Sequence, residues 1–324
     1  MRYDIAVIGN DEAVFEMLRL ASSAGQRSIA ILPEERHSSW IIGQALRRLV
    51  SQLLVDRSTT RQRLLIRNGT PRLLHRLLTN SLTAELTEQM LVLERIGVDL
   101  LLGEAHLQSR NAVCVTSGMD CRRTVVQANN LVIGMGIRRT SMHRPLGLLP
   151  FLRPELLLAG SHLPATLCVL GGDDVGTGLA ALFSLFGVDT QLLARNDGCS
   201  AMLELAHAAG VSIGHHPADL GCDEHNLFSS DAKSIVDCRR AIGFTNHLGL
   251  PEIGVEPDEH GQLWCADNLE TWCTGVFGIG TVVGFSSDIS KNPADQAHRI
   301  LNRTLHRIRR PHFLRTPAGN YSFA

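Results

Sequence analysis

Lysine is almost missing from this chain: of 31 basic residues only Lys233 and Lys291 are lysines, and the rest are arginines. Against 32 acidic residues the formal net charge is −1, which excludes a dominant field for nucleic acid or an anionic membrane. Aromatic residues make up 5% of the chain, and none interleaves the arginines as a nucleic-acid surface requires. Cysteine is missing from the first 113 residues, and the eight that follow, at 114, 121, 168, 199, 222, 238, 265 and 273, contain no C-x-x-C pair. That excludes a disulfide framework and describes scattered reduced thiols. No apolar run is long enough to span a bilayer. The first residues run straight into a strand pattern with no signal-peptide character, so the expected location is the cytoplasm. What the chain does have is 44% hydrophobic residues over 324 positions, enough for one large core or two moderate ones.

Two stretches carry the chemistry of the sequence, each a strand followed by a glycine turn and a helix. Gly9-Asn10-Asp11-Glu12-Ala13-Val14 follows an apolar strand ending at Ile8, and Gly171-Gly172-Asp173-Asp174-Val175-Gly176 follows one ending at Leu170. Both approximate G-x-G-x-x-G, in which the second glycine lets backbone N–H groups approach a pyrophosphate at the positive end of a helix. Here that glycine is Asp11 in one loop and Asp173 in the other. A carboxylate ~4 Å from a phosphate charge costs about 4 kcal/mol at an effective dielectric of 20, roughly three decades of affinity.

Around these loops the chain reads as a repeated βαβ unit. A helix over 12–24 stops at Gly25 and leads to a strand over 28–32; the second unit has a helix over 177–186, Gly187, and a strand over 190–193. Residues 41–78 show helical spacing with Arg47, Arg48, Arg57, Arg61, Arg63, Arg67, Arg72 and Arg76, a solvated helical face or, alternatively, a surface for an anionic partner. A further helix is expected over 83–96. Short strands over 112–116 and 124–127, joined at Gly118-Met119-Asp120, suggest a β meander. A buried strand over 131–133 ends in Gly134-Met135-Gly136, and the passage containing Pro145, Pro150, Pro154 and Pro164 marks a boundary. Residues 275–284 read as a buried strand and a glycine turn, followed by a helix over 293–308 and an irregular tail. Cys168 lies in an apolar strand and is expected in the core. His215, His216, Cys222, Asp223, Glu224 and His225 have ligand chemistry but no zinc spacing, so a solvated loop is expected there and no metal.

The order of these segments resembles the flavoprotein family of dihydrolipoamide dehydrogenase and the soluble pyridine nucleotide transhydrogenases, over almost the whole chain. Tyr3–Gly9 is similar to the family's opening FAD strand, Leu131–Gly136 to its "VIATG" segment, and Gly275–Gly284 to "GVYAVGDVIG". The resemblance implies an α/β fold of two Rossmann-like domains, the second inserted in the first. Residues 1–155 and 248–310 would form the FAD-binding-like domain, 156–247 the NAD(P)-binding-like domain, and 311–324 an irregular tail. Arg315–Tyr321 looks like the start of the family's C-terminal interface domain, which is expected to be absent, leaving a surface for a protein partner.

The resemblance also implies FAD and NAD(P) as cofactors and places their contacts. On the FAD side these fall on Gly9, Asp11, Val14, Leu32, Gln44, Gly136, Gly280 and Thr281; on the NAD(P) side, on Gly171, Gly172, Asp173, Gly176, Ala194 and Arg195. Several depart from the family. Leu32 and Ala194 stand where an acid would hold the adenosine ribose and cannot accept its hydroxyl, though Glu34 or Glu35 could substitute for Leu32. Gln44 replaces a flavin-side lysine, and Thr281 replaces the aspartate that bonds the ribitol. Arg195 would suit a 2′-phosphate or be a strand-end charge. No cysteine pair precedes residues 41–47, which excludes disulfide reduction through an N-terminal dithiol. No catalytic residue is assigned. The expected protein is a degenerate, non-catalytic relative with impaired FAD and NAD(P) binding, the NAD(P) side being better preserved. The alternatives are an active FAD/NAD(P) oxidoreductase or transhydrogenase, and an arginine-mediated adaptor for an anionic partner.

Overall fold

The computed structural model describes residues 2–34, 37–56, 70–118, 121–139, 151–152, 163–194, 200–215, 234–239, 241–285 and 292–308. Strand β1 (Arg2–Ile8) leads into helix α1 (Glu12–Ser23), strand β2 (Ser28–Leu32) and helix α2 (Ser39–Asp56), followed by helix α3 (Pro71–Arg95) and strand β3 (Asp99–Leu102). Apolar Ala13, Val14, Met17, Leu18 and Ala21 fall on one face of α1 and are buried, as helical spacing requires. Three antiparallel-meander strands follow, β4 (Glu104–Ser109), β5 (Ala112–Ser117) and β6 (Arg122–Ile133). The expected short strands over 124–127 and 131–133 are thus one strand. Its first half pairs with β5, and its second half lies between β1 and a later strand.

After β7 (Ile137–Arg139) and β8 (Phe151–Leu152), the second unit runs through β9 (Thr166–Leu170), α4 (Asp174–Leu185), β10 (Asp189–Ala194), α5 (Ser200–Ala209), β11 (Ser212–His215) and β12 (Ile235–Asp237). The chain then returns through β13 (Ala241–Gly243), which pairs with β7, and through β14 (Leu263–Trp264), β15 (Val276–Gly278), β16 (Val283–Phe285) and α6 (Pro293–Ile308). The first sheet has the order β3-β2-β1-β6, with β15 joined in parallel to β6; the second is β11-β10-β9-β12-β8, wholly parallel. Because β15 completes the first sheet after the whole second sheet has been made, the second unit is inserted in the first.

Two helices differ from the sequence expectation. Residues 71–95 form one helix, capped by Thr70 with Pro71 at its start, where a break before residue 83 was expected. The polar run Thr79-Asn80-Ser81 contains no glycine or proline, and the buried Ser81 hydroxyl donates to the Ala45 carbonyl of α2 at 2.7 Å. Helix α4 starts at Asp174 rather than Thr177, because the Asp173 carboxylate accepts the Gly176 N–H at 3.0 Å and caps it early, as aspartate does at helix N-termini.

Helix α2 joins the two units. Its Ile41 packs in the core between the first sheet, α1 and α6, whereas Leu46, Leu49, Val50 and Leu53 pack with Val175, Leu179 and Phe183 in the core of the second unit. At about 1.5–3 kcal/mol for each large apolar side chain buried, these four residues hold the units together strongly. Glycine makes the contact close: a Cβ on Gly178 of α4 would stand 2.8 Å from the Leu46 Cβ, and one on Gly43 would stand 3.0 Å from the Asp174 Cβ.

Candidate functional site

In open α/β sheets a ligand lies beyond the carboxyl ends of the strands, where the strand order reverses. In the first sheet that point is between β1 and β6, bounded by Gly9–Asp11 and Gly134–Gly136. Gly9 has φ +119, and a Cβ there would stand 2.2 Å from the Gly134 carbonyl oxygen, so the two loops touch directly.

Around Gly9 and Gly136 the crevice is occupied by the protein's own side chains, while a cavity lined by Ile8, Ile31, Pro33, Met135 and Phe244 remains at the same strand ends. Asp11, 3% exposed, caps α1 by accepting the Glu12 N–H on Oδ1 at 2.8 Å. Its Oδ2 accepts both the Thr281 N–H at 2.8 Å and the Thr281 hydroxyl at 2.7 Å. Gly280, in the left-handed region at φ +77, leaves room for this carboxylate, since a Cβ there would stand 2.4 Å from Asp11 Oδ2. Its N–H donates to Gln296 Oε1 at 2.7 Å, tying the turn to α6. On the other side Asn10 and Ser38, each 1% exposed, close against one another: Ser38 N–H donates to Asn10 Oδ1 at 3.1 Å and the Ser38 hydroxyl to the Asn10 carbonyl at 2.8 Å. Gly136 lies beneath them, its absent Cβ 3.0 Å from that of Ser38 and 3.6 Å from that of Asp11.

The remaining positions on this side are packed rather than poised. Leu32 and Val14 are wholly buried, and Val14 Cγ2 presses where a Gly134 side chain would be. Glu34 accepts the Gly118 N–H at 3.2 Å, so its carboxylate serves the β5–β6 turn; Glu35 lies outside the described residues. Gln44 is half-buried in α2. The structure thus brings together Gly9, Asp11, Gly136, Gly280 and Thr281, and adds Asn10, Ser38 and Gln296, which sequence reasoning missed. Ser38-Ser39 ahead of the apolar run of α2 was an available signal, since serine in that position caps a helix; Ser38 Oγ accepts the Ile41 N–H at 3.3 Å.

In the second sheet the corresponding point lies between β9 and β12. Gly171 has φ +114, and its absent Cβ would be 3.2 Å from the Arg239 nitrogen. Gly176 is packed against the Gly171 carbonyl, and Gly172 is half-buried. Next to the Asp173 cap, Asp174 Oδ2 pairs with Arg47 Nη2 of α2 at 2.8 Å, each side chain about one-third exposed, at 32% and 34%. Asp237, fully buried at the end of β12, accepts the backbone N–H, Nε and Nη2 of Arg239 at 2.9–3.0 Å. Ala194 is 6% exposed, and Arg195 lies outside the described residues. Burial, then the nearby Asp11, Glu16 and Asp174 carboxylates, push the Glu12 carboxyl above the ordinary range, partly offset by Arg47.

Burial pushes the Cys168 thiol up to about 11 and Cys265 up to about 12, so neither supplies a thiolate at neutral pH. Cys168 is in the core as expected. No group of three or more metal-ligand side chains occurs among the described residues; His216, Cys222, Asp223, Glu224 and His225 lie outside them. So do Arg57, Arg61, Arg63 and Arg67 of the arginine-rich stretch, whereas Arg47 and Arg48 pair with Asp174 and with Glu85 and Glu88. No helix among the described residues is long and apolar enough to cross a membrane.

These two sheets and their insertion order define an α/β fold of two Rossmann-like units, the second inserted in the first. In sequence the chain resembles the soluble pyridine nucleotide transhydrogenases, and in fold the flavoprotein disulfide reductases. It is 26% identical to a soluble pyridine nucleotide transhydrogenase of Hahella chejuensis and 24% identical to that of Pseudomonas fluorescens, each over 88% of this chain and 67% of the relative. Among solved structures it is similar to the HOCl-induced flavoprotein disulfide reductase RclA from Escherichia coli (TM-score 0.61, 17% identity, 94% of this chain and 71% of that one). It is also similar to LpdA from Mycobacterium tuberculosis (TM-score 0.61, 15% identity, 94% of this chain and 72% of that one). No protein-family model matches the chain.

Proposed function

We propose that this chain is a family member whose FAD-type unit has become self-liganded: it holds its own carboxylate where the flavin pyrophosphate would bind, and acts through contacts rather than flavin chemistry. The observation that carries this reading is the Asp11–Thr281 bridge. Both residues replace family positions, and the two replacements satisfy each other. The helix N-terminus that would attract a phosphate has its anion in Asp11, and a second anion at ~4 Å would be repelled by about 4 kcal/mol at an effective dielectric of 20. The crevice residues therefore do not fit FAD, and no reaction step is assigned to it. Buried Leu32 and the Asn10–Ser38 contact support the same reading from two further sides.

The competing reading is an active transhydrogenase, favoured by the likeness to the transhydrogenases named above over 88% of the chain. The absorbance of the purified protein separates the two. The self-liganded reading expects a colourless preparation that releases no flavin on denaturation and gains no thermal stability from millimolar FAD. A ligand at 100 times its Kd would add about 2.7 kcal/mol. A yellow protein with stoichiometric flavin would refute it.

A further inference from the structure

Although three glycines of the second loop survive, we propose that the second unit is sealed against NAD(P) as well, by Asp173 and by the Arg47–Asp174 pair that α2 delivers to the start of α4. The sequence ranks this side as the better preserved, because Gly171-Gly172-Asp173-Asp174-Val175-Gly176 departs from G-x-G-x-x-G only at Asp173. The geometry removes that advantage. The Asp173 carboxylate takes the Gly176 N–H at 3.0 Å, one of the donors that a pyrophosphate at this end would need. Asp174 adds a second negative charge in the first turn of the same helix. Two arginines reach this end and could recruit phosphate, but each is held by an acid: Arg47 by Asp174 at 2.8 Å, and Arg239 by the buried Asp237 through three hydrogen bonds.

Helix α2 is held beside this helix start by close packing, Gly43 against Asp174 and Leu46 against Gly178, which keeps Arg47 within reach of Asp174. The two seals differ in kind. On the FAD side a carboxylate bridges two chain segments within a closed knot, whereas here the obstacle is charge set on an otherwise intact loop. Removing that charge should therefore open this site.

The test is titration with NADPH and NADH, followed by protein thermal shift and by nucleotide fluorescence, on the full chain and two variants. Asp173→Gly rebuilds the complete glycine motif. Asp173→Asn/Asp174→Asn keeps a helix cap, removes both charges and releases Arg47 to face a phosphate. The unaltered chain is expected to show no saturable binding at millimolar nucleotide, and the double variant a gain approaching about a thousandfold, the effect of one removed phosphate–carboxylate repulsion. Circular dichroism and melting confirm that the variants are folded; the double variant, which keeps the cap, serves if Asp173→Gly is unstable. Saturable NADPH binding by the unaltered chain would overturn the proposal. So would folded variants that bind no better than it, because the obstacle would then lie elsewhere. The flavin reading is untouched by either outcome, since it is read from bound flavin, and a yellow protein would leave this test standing.

Discussion

Replacing Asp11 with glycine, the residue of the family's phosphate loop, removes a buried carboxylate that receives three hydrogen bonds. Exchanging an aspartate N-cap for glycine costs only about 0.3 kcal/mol, since glycine is itself tolerated at that position. The two bonds from Thr281 are charge-assisted and would be worth about 1.5–3 kcal/mol each if fully buried. Thr281 is exposed, however, so water replaces much of them, and about 1 kcal/mol is retained for the pair. The added backbone freedom of glycine costs roughly 0.5–1 kcal/mol more. The expected loss is therefore about 2 kcal/mol. Urea denaturation followed by circular dichroism measures it, with Thr281→Ala as the partner variant, which keeps the N–H bond and should lose only about 0.5 kcal/mol. In a double-mutant cycle with Asp11→Ala the two losses should fall short of additive, because they share one hydrogen bond. The Asp11→Gly protein should also stay colourless. Val14 still occupies the third glycine position and packs against Gly134, and Leu32 still offers no ribose acceptor. An Asp11→Gly variant as stable as the parent would refute the reasoning that Asp11 is an internal ligand, whereas one that purifies with stoichiometric flavin would show that Asp11 alone, without Val14 and Leu32, keeps FAD out.

Three further outcomes are expected. Gly178→Ala drives a methyl to 2.8 Å from the Leu46 Cβ and should cost about 1–3 kcal/mol by overpacking; a loss seen in the melting of both units would show that they unfold together. Glu12 has a carboxyl raised above its ordinary value of 4.5, so the folded state binds its proton more tightly. Its contribution to stability is full below that value and is lost as pH rises through the raised one. Glu12→Gln should therefore raise the melting temperature at pH 7 and have no such effect near pH 4; a larger gain at pH 4 would contradict the sign. Finally, the exposed Cys121 should be alkylated at pH 8 while Cys168 and Cys265, pushed up to about 11 and about 12 by burial, are protected until unfolding, as peptide mass spectrometry would reveal.

Much of the fold was legible because its signals are local. The strand ending at Ile8 and the stop at Gly25 bound α1 within one residue of the observed helix, and the final helix over 293–308 was found in full. Periodicity and turn residues carry that information. The errors came where a local rule met a distant partner. A break was expected between 78 and 83, yet the polar run 79–81 stays helical, with Ser81 donating to Ala45 across the α2–α3 contact. Asp173 looked like an intruder in a loop, when as a cap it starts α4 three residues sooner. Helix α2 lies within the expected span 1–155, and most of its apolar face packs in the core of the second unit, a pairing that periodicity along the chain does not specify.

The sequence alone determined the fold type, the two βαβ units and the positions where acids replace glycines, since each is a matter of residue identity at fixed spacing along a strand, turn and helix. It could not say what those acids do. Asp11 and Thr281 are 270 residues apart, and only the return of the chain through β15 to the edge of β6 brings them to hydrogen-bond distance. By sequence, Asp11 repels a phosphate. In the tertiary structure its charge is met by the α1 N-terminus and by Thr281, which makes it part of the fold rather than a gap in a binding site.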